Sequence, residues 1–273
     1  MRRVLLLAVV AAAAVAVTAI AKESREVDAT FHSVALRGPA HATVVLPPGY
    51  DSSRKRYPVV YFLHGLPASP DAYRGVGWLE RALAKLDDPP ILVVPQGARA
   101  GDKDPEYLNW GRGRNWENYV ARELPAYVDA HFRTIRDRRA RALVGVSAGG
   151  YGAVVLAFNH LDRFGVVESW SGYFHATDPS GTKALAREPR TNVHTLVDDL
   201  RRDERRRPTF FAFYVGRGDA RFRAENERLD RELNAARVPH VFQLYPGAHE
   251  TSVWTTHAAA WLRLAVSHLV TPA

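Results

Sequence analysis

Residues 142–152 read Ala-Leu-Val-Gly-Val-Ser-Ala-Gly-Gly-Tyr-Gly. A short continuous apolar run, Ala142–Val146, stops at Ser147, and a helical pattern, Ala148–Asn159, starts at the next residue. Such a run predicts a strand buried on both faces. A strand that becomes a helix within one residue needs a very tight bend, and Gly145-Val146-Ser147-Ala148-Gly149 supplies one. Side chains at the two flanking glycines would meet the neighbouring helix and strand, and the serine between them sits at the tip in a strained backbone conformation. The helix N-terminus adds positive potential where negative charge would develop. The five letters alone arise by chance, or mark a glycine-rich turn with an idle serine. Their place between a buried strand and a helix makes Ser147 the candidate nucleophile.

Further apolar runs flank this one: Tyr57–Leu63, Ile91–Val94, Val166–Trp170, Phe210–Val215 and His240–Tyr245. Helical patterns lie between them at Trp78–Leu86, Trp116–His131, Arg223–Ala236 and Ser252–Leu269, with Asn115 or Asn118 as cap of the second. Strand–helix alternation predicts an α/β class: a doubly wound, mostly parallel sheet of about eight strands, helices on both faces. Thr30–Arg37 and Ala42–Leu46 alternate and are joined at Gly38-Pro39, which predicts an antiparallel N-terminal edge. Gly97–Arg114 and Gly172–Pro208 read as long loops, of the kind that cover sites.

Loops after the strands supply the remaining candidates. Tyr61-Phe62-Leu63-His64-Gly65-Leu66 ends the third strand, where the turn's partner loop offers an oxyanion donor. The backbone N–H of Leu66 is the first candidate and Gly65 the second; the N–H of Ala148, after the nucleophile, is the other donor. An acid and then a base must follow the serine. Asp219 lies just past Phe210–Val215, where sites of open α/β sheets form; Asp178, Asp198 and Asp199 are weaker candidates. His249 follows the last strand in Tyr245-Pro246-Gly247-Ala248-His249 and precedes the final helix. That position singles it out among eleven histidines. His64, Gly65, Trp110, Asn115 and Trp254 are candidates to face substrate, although tryptophans in such places pack cores as readily.

Composition excludes other classes. No cysteine is present, so there is no disulfide framework and no thiolate metal site. No metal-ligand spacing is visible, and neither a metal nor an organic cofactor is expected. The net charge is +8, concentrated in Arg133–Arg141 and Arg201–Arg207. Without interleaved aromatics these stretches read as solvated connections, and no nucleic-acid partner is expected. Arg2-Arg3, the apolar run Val4–Ile20 and the small residues Ala19-Ile20-Ala21 have the layout of a secretory signal peptide. An uncleaved anchor is the competing reading. The expected organisation is a leader over 1–21 and one domain over 22–273. It predicts a secreted protein with no stable membrane insertion after cleavage.

YPVVYFLHGL (57–66), NWENYVARELPAYVDAHF (115–132), GVSAGGYGA (145–153), YVGRGD (214–219) and YPGAHETSVW (245–254), in that order, resemble the esterase D-like group of α/β-hydrolases. That group includes S-formylglutathione hydrolases, feruloyl and acetyl-xylan esterases, and the secreted mycolyltransferases. The resemblance covers nearly all of 22–273 and is most group-specific at Trp116–Pro125. It implies an α/β-hydrolase fold with Ser147, Asp219 and His249 as triad and Leu66 and Ala148 as oxyanion donors. The mycolyltransferases usually carry Asp-Gly-Leu, a Gly-Leu-Ser-Met turn and a Glu acid. His64-Gly65-Leu66, the Val-Ser-Ala turn and Asp219 depart from that pattern and favour a hydrolase. The expected activity is a secreted serine carboxylesterase acting on a small-molecule, glycan or lipid ester. The alternatives are an acyltransferase passing the acyl group to a sugar or lipid hydroxyl, and a catalytically silent binding protein.

Overall fold

Among the described residues, eight strands form one sheet in the order β1-β2-β4-β3-β5-β6-β7-β8. They are β1 Arg25–Ser33, β2 Gly38–Leu46, β3 Val59–Leu63, β4 Ile91–Pro95, β5 Arg141–Val146, β6 Val166–Trp170, β7 Phe210–Gly216 and β8 Val241–Tyr245. The computed structural model describes residues 23–102, 106–177, 189–203 and 205–271. The leader expected over 1–21 and the weaker acid candidate Asp178 lie outside the described residues. Strands β3 to β8 are parallel, while β2 pairs antiparallel with both β1 and β4. This is the α/β-hydrolase architecture expected from the alternation, with its antiparallel N-terminal edge.

Strand alternation divides the core into two layers. Val59, Tyr61 and Leu63 of β3 point into one layer, and Val60 and Phe62 into the other. The first layer is closed by the helices α2 Trp116–Asn118, α3 Leu124–His131, α4 Ala148–Asn159, α5 Val193–Asp203 and α6 Arg223–Ala236. The second is closed by α1 Gly77–Leu83 and α7 Thr251–Ser267. Helix α4 lies in the middle of its layer, and eleven of its twelve residues are buried.

Several expectations are corrected. The β1–β2 turn is Val34–Arg37, with Gly38-Pro39 inside β2. Glu123 holds that turn, accepting from Ser33 Oγ and from the Ala35 N–H (2.9 Å). Tyr57 and Pro58 stay outside β3, because Pro58 has no N–H for the ladder. Trp116–His131 is one helical run interrupted by a π-turn at Tyr119–Glu123. Pro125 explains it, since proline gives no N–H and crowds the carbonyl four residues back. Neither Asn115 nor Asn118 caps this run through its side chain. The last strand, β8, is half-exposed rather than buried on both faces, because it is an edge. The expected loop Gly172–Pro208 contains α5, whose Val193, Leu196, Val197 and Leu200 are buried. That spacing is helical, and the charged residues between obscured it.

The arginine run 133–141 is built into the fold rather than left as a solvated connection. The Arg138 guanidinium donates to the carbonyls of Leu161 (2.6 Å), Phe164 (2.7 Å) and Pro208 (3.0 Å). Arg141 pairs with Asp129 at 2.5 Å, both side chains largely buried.

Glu225 on α6 ties the segment after β6 to α5 and α6. It accepts from the Phe174 N–H (3.1 Å) and from His175 (2.5 Å), and contacts His194 (3.4 Å). Burial pushes the Glu225 carboxyl up, but the two histidines and the Phe174 N–H outweigh it and bring it down to about 2. The Glu225 bond raises His175 against the opposing effect of its burial. A depressed carboxyl stabilises above its unfolded value of 4.5 and loses this as pH falls towards 2. A raised imidazole stabilises below 6.5 and loses this as pH rises through its folded value. The cluster therefore contributes most between pH 4.5 and 6.5. Glu225→Gln is expected to cost about 2–3 kcal/mol in that window, and less below it. Urea denaturation from pH 3 to 8 checks this, and a loss that is constant with pH would contradict it.

Candidate active site

The strand ends carry the site. At the end of β5 the chain turns at Ser147, whose φ of 56° and ψ of −121° lie outside ordinary regions for an L-residue. The conformation is held on both sides: the Ser147 N–H donates to the Trp170 carbonyl at 2.9 Å, and the Ser147 carbonyl accepts from Tyr151 at 3.0 Å. The loops after β7 and β8 are joined to each other. The Arg217 N–H donates to the Tyr245 carbonyl at 2.7 Å, and the Gly218 N–H to the Gly247 carbonyl at 2.8 Å. This brings two residues thirty positions apart together: His249 Nδ1 lies 2.8 Å from Asp219 Oδ2, and His249 Nε2 lies 2.9 Å from Ser147 Oγ.

Electrostatics assigns the protons along this line. Asp219 is 1% exposed. Burial pushes its carboxyl up, but the His249 hydrogen bond, the charge of His249 and the N–H groups of Phe222 and Arg221 (both 3.1 Å from Oδ1) outweigh it and hold it below the usual carboxylate range. A carboxylate only accepts, so Nδ1 carries the hydrogen and donates. Nε2 is then left with its lone pair, and the Ser147 hydroxyl donates to it. The arrangement can therefore take a proton from Ser147 when its oxygen attacks an electrophile.

A cavity of about 420 Å³ opens over Ser147 and His249, lined also by Gly65, Leu66, Tyr173, Thr177, Phe222 and Trp254. The 12-residue helix α4 points its N-terminus, with Ala148 first, at this space. The first N–H groups of a helix have no partner within it. Trp254 packs edge-on against His249, with ring centroids 5.2 Å apart, and Phe222 does the same at 4.9 Å. His64 lies in an adjoining cavity of about 230 Å³ that shares Gly65 and Trp254 with the first. Burial lowers the His64 pKa and favours the neutral ring, against a smaller opposing effect of the bond to the Gly65 carbonyl.

Ser147, Asp219, His249, Gly65, Leu66, Ala148, Trp254 and His64 thus converge on one region. Trp110 and Asn115 do not. Trp110 lines a separate cavity of about 440 Å³ beside Asn159 and His160, beyond the far end of α4. Asn115 is on no wall of the Ser147 cavity; its backbone bridges to Asn109 and joins the β1–β2 turn at Ala35. Asp198 and Asp199 sit on α5, away from His249. Tyr173, Thr177, Arg221 and Phe222 line the cavity without having been singled out in the sequence. Arg221 and Phe222 could have been found, because they follow Asp219 directly. Tyr173 and Thr177 carry no local signal. Among the described residues no cluster of three or more His, Cys, Asp or Glu side chains could hold a metal. No helix among them is long and apolar enough to cross a membrane.

The Esterase family model (“Putative esterase”) matches residues 33–263. The chain belongs to the Esterase family. Among relatives of this Esterase-family chain, a Mycobacterium tuberculosis protein named Esterase Rv1288 is 32% identical over 142 residues, covering 52% of this chain and 31% of the relative. The MPT51/MPB51 antigen of the same organism is 34% identical over 129 residues, covering 46% and 41%. The chain therefore spans less than half the length of these relatives. Among solved structures, a ferulic acid esterase superposes with a TM-score of 0.76 at 22% identity, covering 90% of this chain and 100% of that one. The S-formylglutathione hydrolase of Staphylococcus aureus superposes at 0.73 and 20% identity, covering 89% and 99%. At these identities the superpositions show a shared fold.

Proposed function

We propose that the chain is a secreted serine carboxylesterase with Ser147 as nucleophile, His249 as general base and acid, and Asp219 as the group that orients His249. The observation that carries the reading is the unbroken line from Ser147 Oγ through His249 to the buried Asp219 carboxylate, at 2.9 and 2.8 Å. Membership of the Esterase family supports the reaction class.

His249 Nε2 takes the Ser147 proton as Oγ bonds to the ester carbonyl carbon. The carbonyl oxygen becomes an oxyanion, held by the backbone N–H groups of Ala148 and Leu66. The C–O bond to the alcohol breaks, and the alcohol leaves with the proton from His249. Water then attacks the acyl-serine and gives a proton to His249, which passes it to Ser147 Oγ as the acyl C–O bond breaks and the acid is released. Substrate is a small-molecule, glycan or lipid ester. The leader at 1–21 and one hydrolase domain over 22–273 complete the reading.

The test is fluorophosphonate treatment of the protein secreted by an expressing host, with the adduct located by mass spectrometry. The expected result is one adduct on Ser147, on a chain beginning at Lys22, and none in Ser147→Ala. A folded protein left unlabelled would overturn the esterase and make the chain a hydrolase-fold binding protein. A labelled chain that retains 1–21 would make the leader an anchor.

A further inference from the structure

Glu106 and Tyr107 are consecutive, buried to 1% and 3% exposure, and both left-handed, with φ of 46° and 59°. Such a conformation is strained for any residue other than glycine and persists only where its surroundings hold it in place. Here the surroundings are two residues that line the Ser147 cavity and the residue that opens one of its loops. The Glu106 carboxylate accepts from the Tyr173 hydroxyl (2.5 Å), the Thr177 N–H (3.0 Å) and the Thr177 hydroxyl (2.7 Å). Tyr173 and Thr177 form one wall. The Tyr107 hydroxyl donates to the His64 carbonyl at 2.9 Å, and the two rings meet edge-on at 5.8 Å. His64 opens the loop that carries Gly65 and Leu66, which also line the cavity.

We infer that Glu106 and Tyr107 are positioning residues of the Ser147 site: Glu106 sets the width of the cavity through Tyr173 and Thr177, and Tyr107 sets the placement of the Gly65–Leu66 loop. Neither lines the cavity, so both act through other residues. The strained dipeptide ties Tyr173 and Thr177 to the residue that opens the Gly65–Leu66 loop, and so holds these two parts of the site relative to each other. Tyr173 carries the constraint onwards. Its ring stacks on Tyr151 at 5.1 Å and leans on Phe222 at 5.0 Å, and Phe222 packs against His249. Loss of the Glu106 carboxylate leaves three donors without their acceptor, and the wall can move. Loss of the Tyr107 hydroxyl frees the His64 carbonyl and the loop behind it.

The inference rests on the esterase reading for its kinetic readout, and the experiment separates the two. p-Nitrophenyl benzoate and p-nitrophenyl acetate serve as bulky and small esters. Glu106→Ala is expected to raise KM for the benzoate about tenfold, with kcat for the acetate within about twofold of wild type. Glu106→Gln keeps an oxygen that accepts from Tyr173 and is expected to restore most of the KM. Tyr173→Phe keeps the stacked ring, preserves the fold and is expected to repeat the KM rise. Tyr107→Phe is expected to lower kcat on both esters about tenfold with KM unchanged, because a displaced loop misplaces an oxyanion donor. Binding of benzoate, followed by tryptophan fluorescence, is expected to weaken about tenfold in Glu106→Ala and needs no catalysis. A wild type labelled on Ser147 whose benzoate affinity is unchanged by Glu106→Ala would remove the inference and leave the esterase. So would equal losses on both esters that Gln does not rescue. Weakened benzoate binding in a protein that no fluorophosphonate labels would leave the wall and remove the esterase.

Discussion

Asp219→Asn is expected to lower kcat about 10⁴-fold while leaving the protein folded. The Asp219 carboxylate accepts the Nδ1 hydrogen of His249 on one oxygen and two backbone N–H groups on the other. An amide of the same shape keeps one acceptor oxygen, and the two backbone donors hold it. Its NH₂ group then faces Nδ1 and favours the tautomer with the hydrogen on Nε2. That nitrogen can no longer accept the Ser147 proton, although the 2.9 Å approach survives. The loss therefore falls on kcat and on the rate of fluorophosphonate labelling together. Stopped-flow hydrolysis of p-nitrophenyl acetate, with thermal unfolding as the control for folding, checks it. A fall of less than about tenfold would take the orienting role from Asp219.

Gly149→Ala is expected to destabilise the protein by more than about 4 kcal/mol, a loss few single substitutions reach. A Cβ at this position would lie 2.0 Å from the Leu63 carbonyl oxygen, 2.5 Å from its carbon and 2.6 Å from the His64 carbonyl oxygen. All three are backbone atoms, so no flexible side chain can swing away. They belong to the end of β3, and relieving the clash means lifting α4 off the centre of the sheet. Gly145 meets the same barrier from the other side, with the Gly149 carbonyl oxygen 2.1 Å from its Cβ position. Since ordinary domains are stable by only about 5–15 kcal/mol, much of Gly149→Ala should fail to fold. Gly38→Ala is the control: nothing lies within 4 Å of a Cβ there. Its expected effect is within about 0.5 kcal/mol. Urea midpoints measure both, and a Gly149→Ala protein within about 1 kcal/mol of wild type would refute the close-packing argument.

Period and punctuation carried most of the fold. Continuous apolar runs separated by helical patterns imply buried parallel strands, and β3 to β8 lie where such runs put them, give or take terminal residues, while β1 and β2 begin five and four residues earlier than the alternating pair suggested. β8 is half-exposed, because an apolar run does not say whether a strand is central or an edge. Helix α5 was hidden for a different reason: its charged residues outnumber its buried stripe of four, although that stripe has helical spacing.

Sequence by itself determined where the site's termini lie. Ser147, Asp219 and His249 each sit within a few residues of a strand end, and in a parallel sheet all such ends share one rim, so sequence position converts directly into proximity. The tertiary structure alone decided what else reaches that rim. Trp110 and Asn115 belong to the same long loop as Glu106 and Tyr107, yet Trp110 lines a different cavity, while Glu106 bonds to Tyr173 of the Ser147 cavity and Tyr107 to His64 at the start of its Gly65–Leu66 loop. A loop has no period from which direction can be read. Its side chains are aimed by backbone conformation, here two left-handed residues whose strain the hydrogen bonds of Tyr173, Thr177 and His64 offset, and those bonds exist only once the chain has closed.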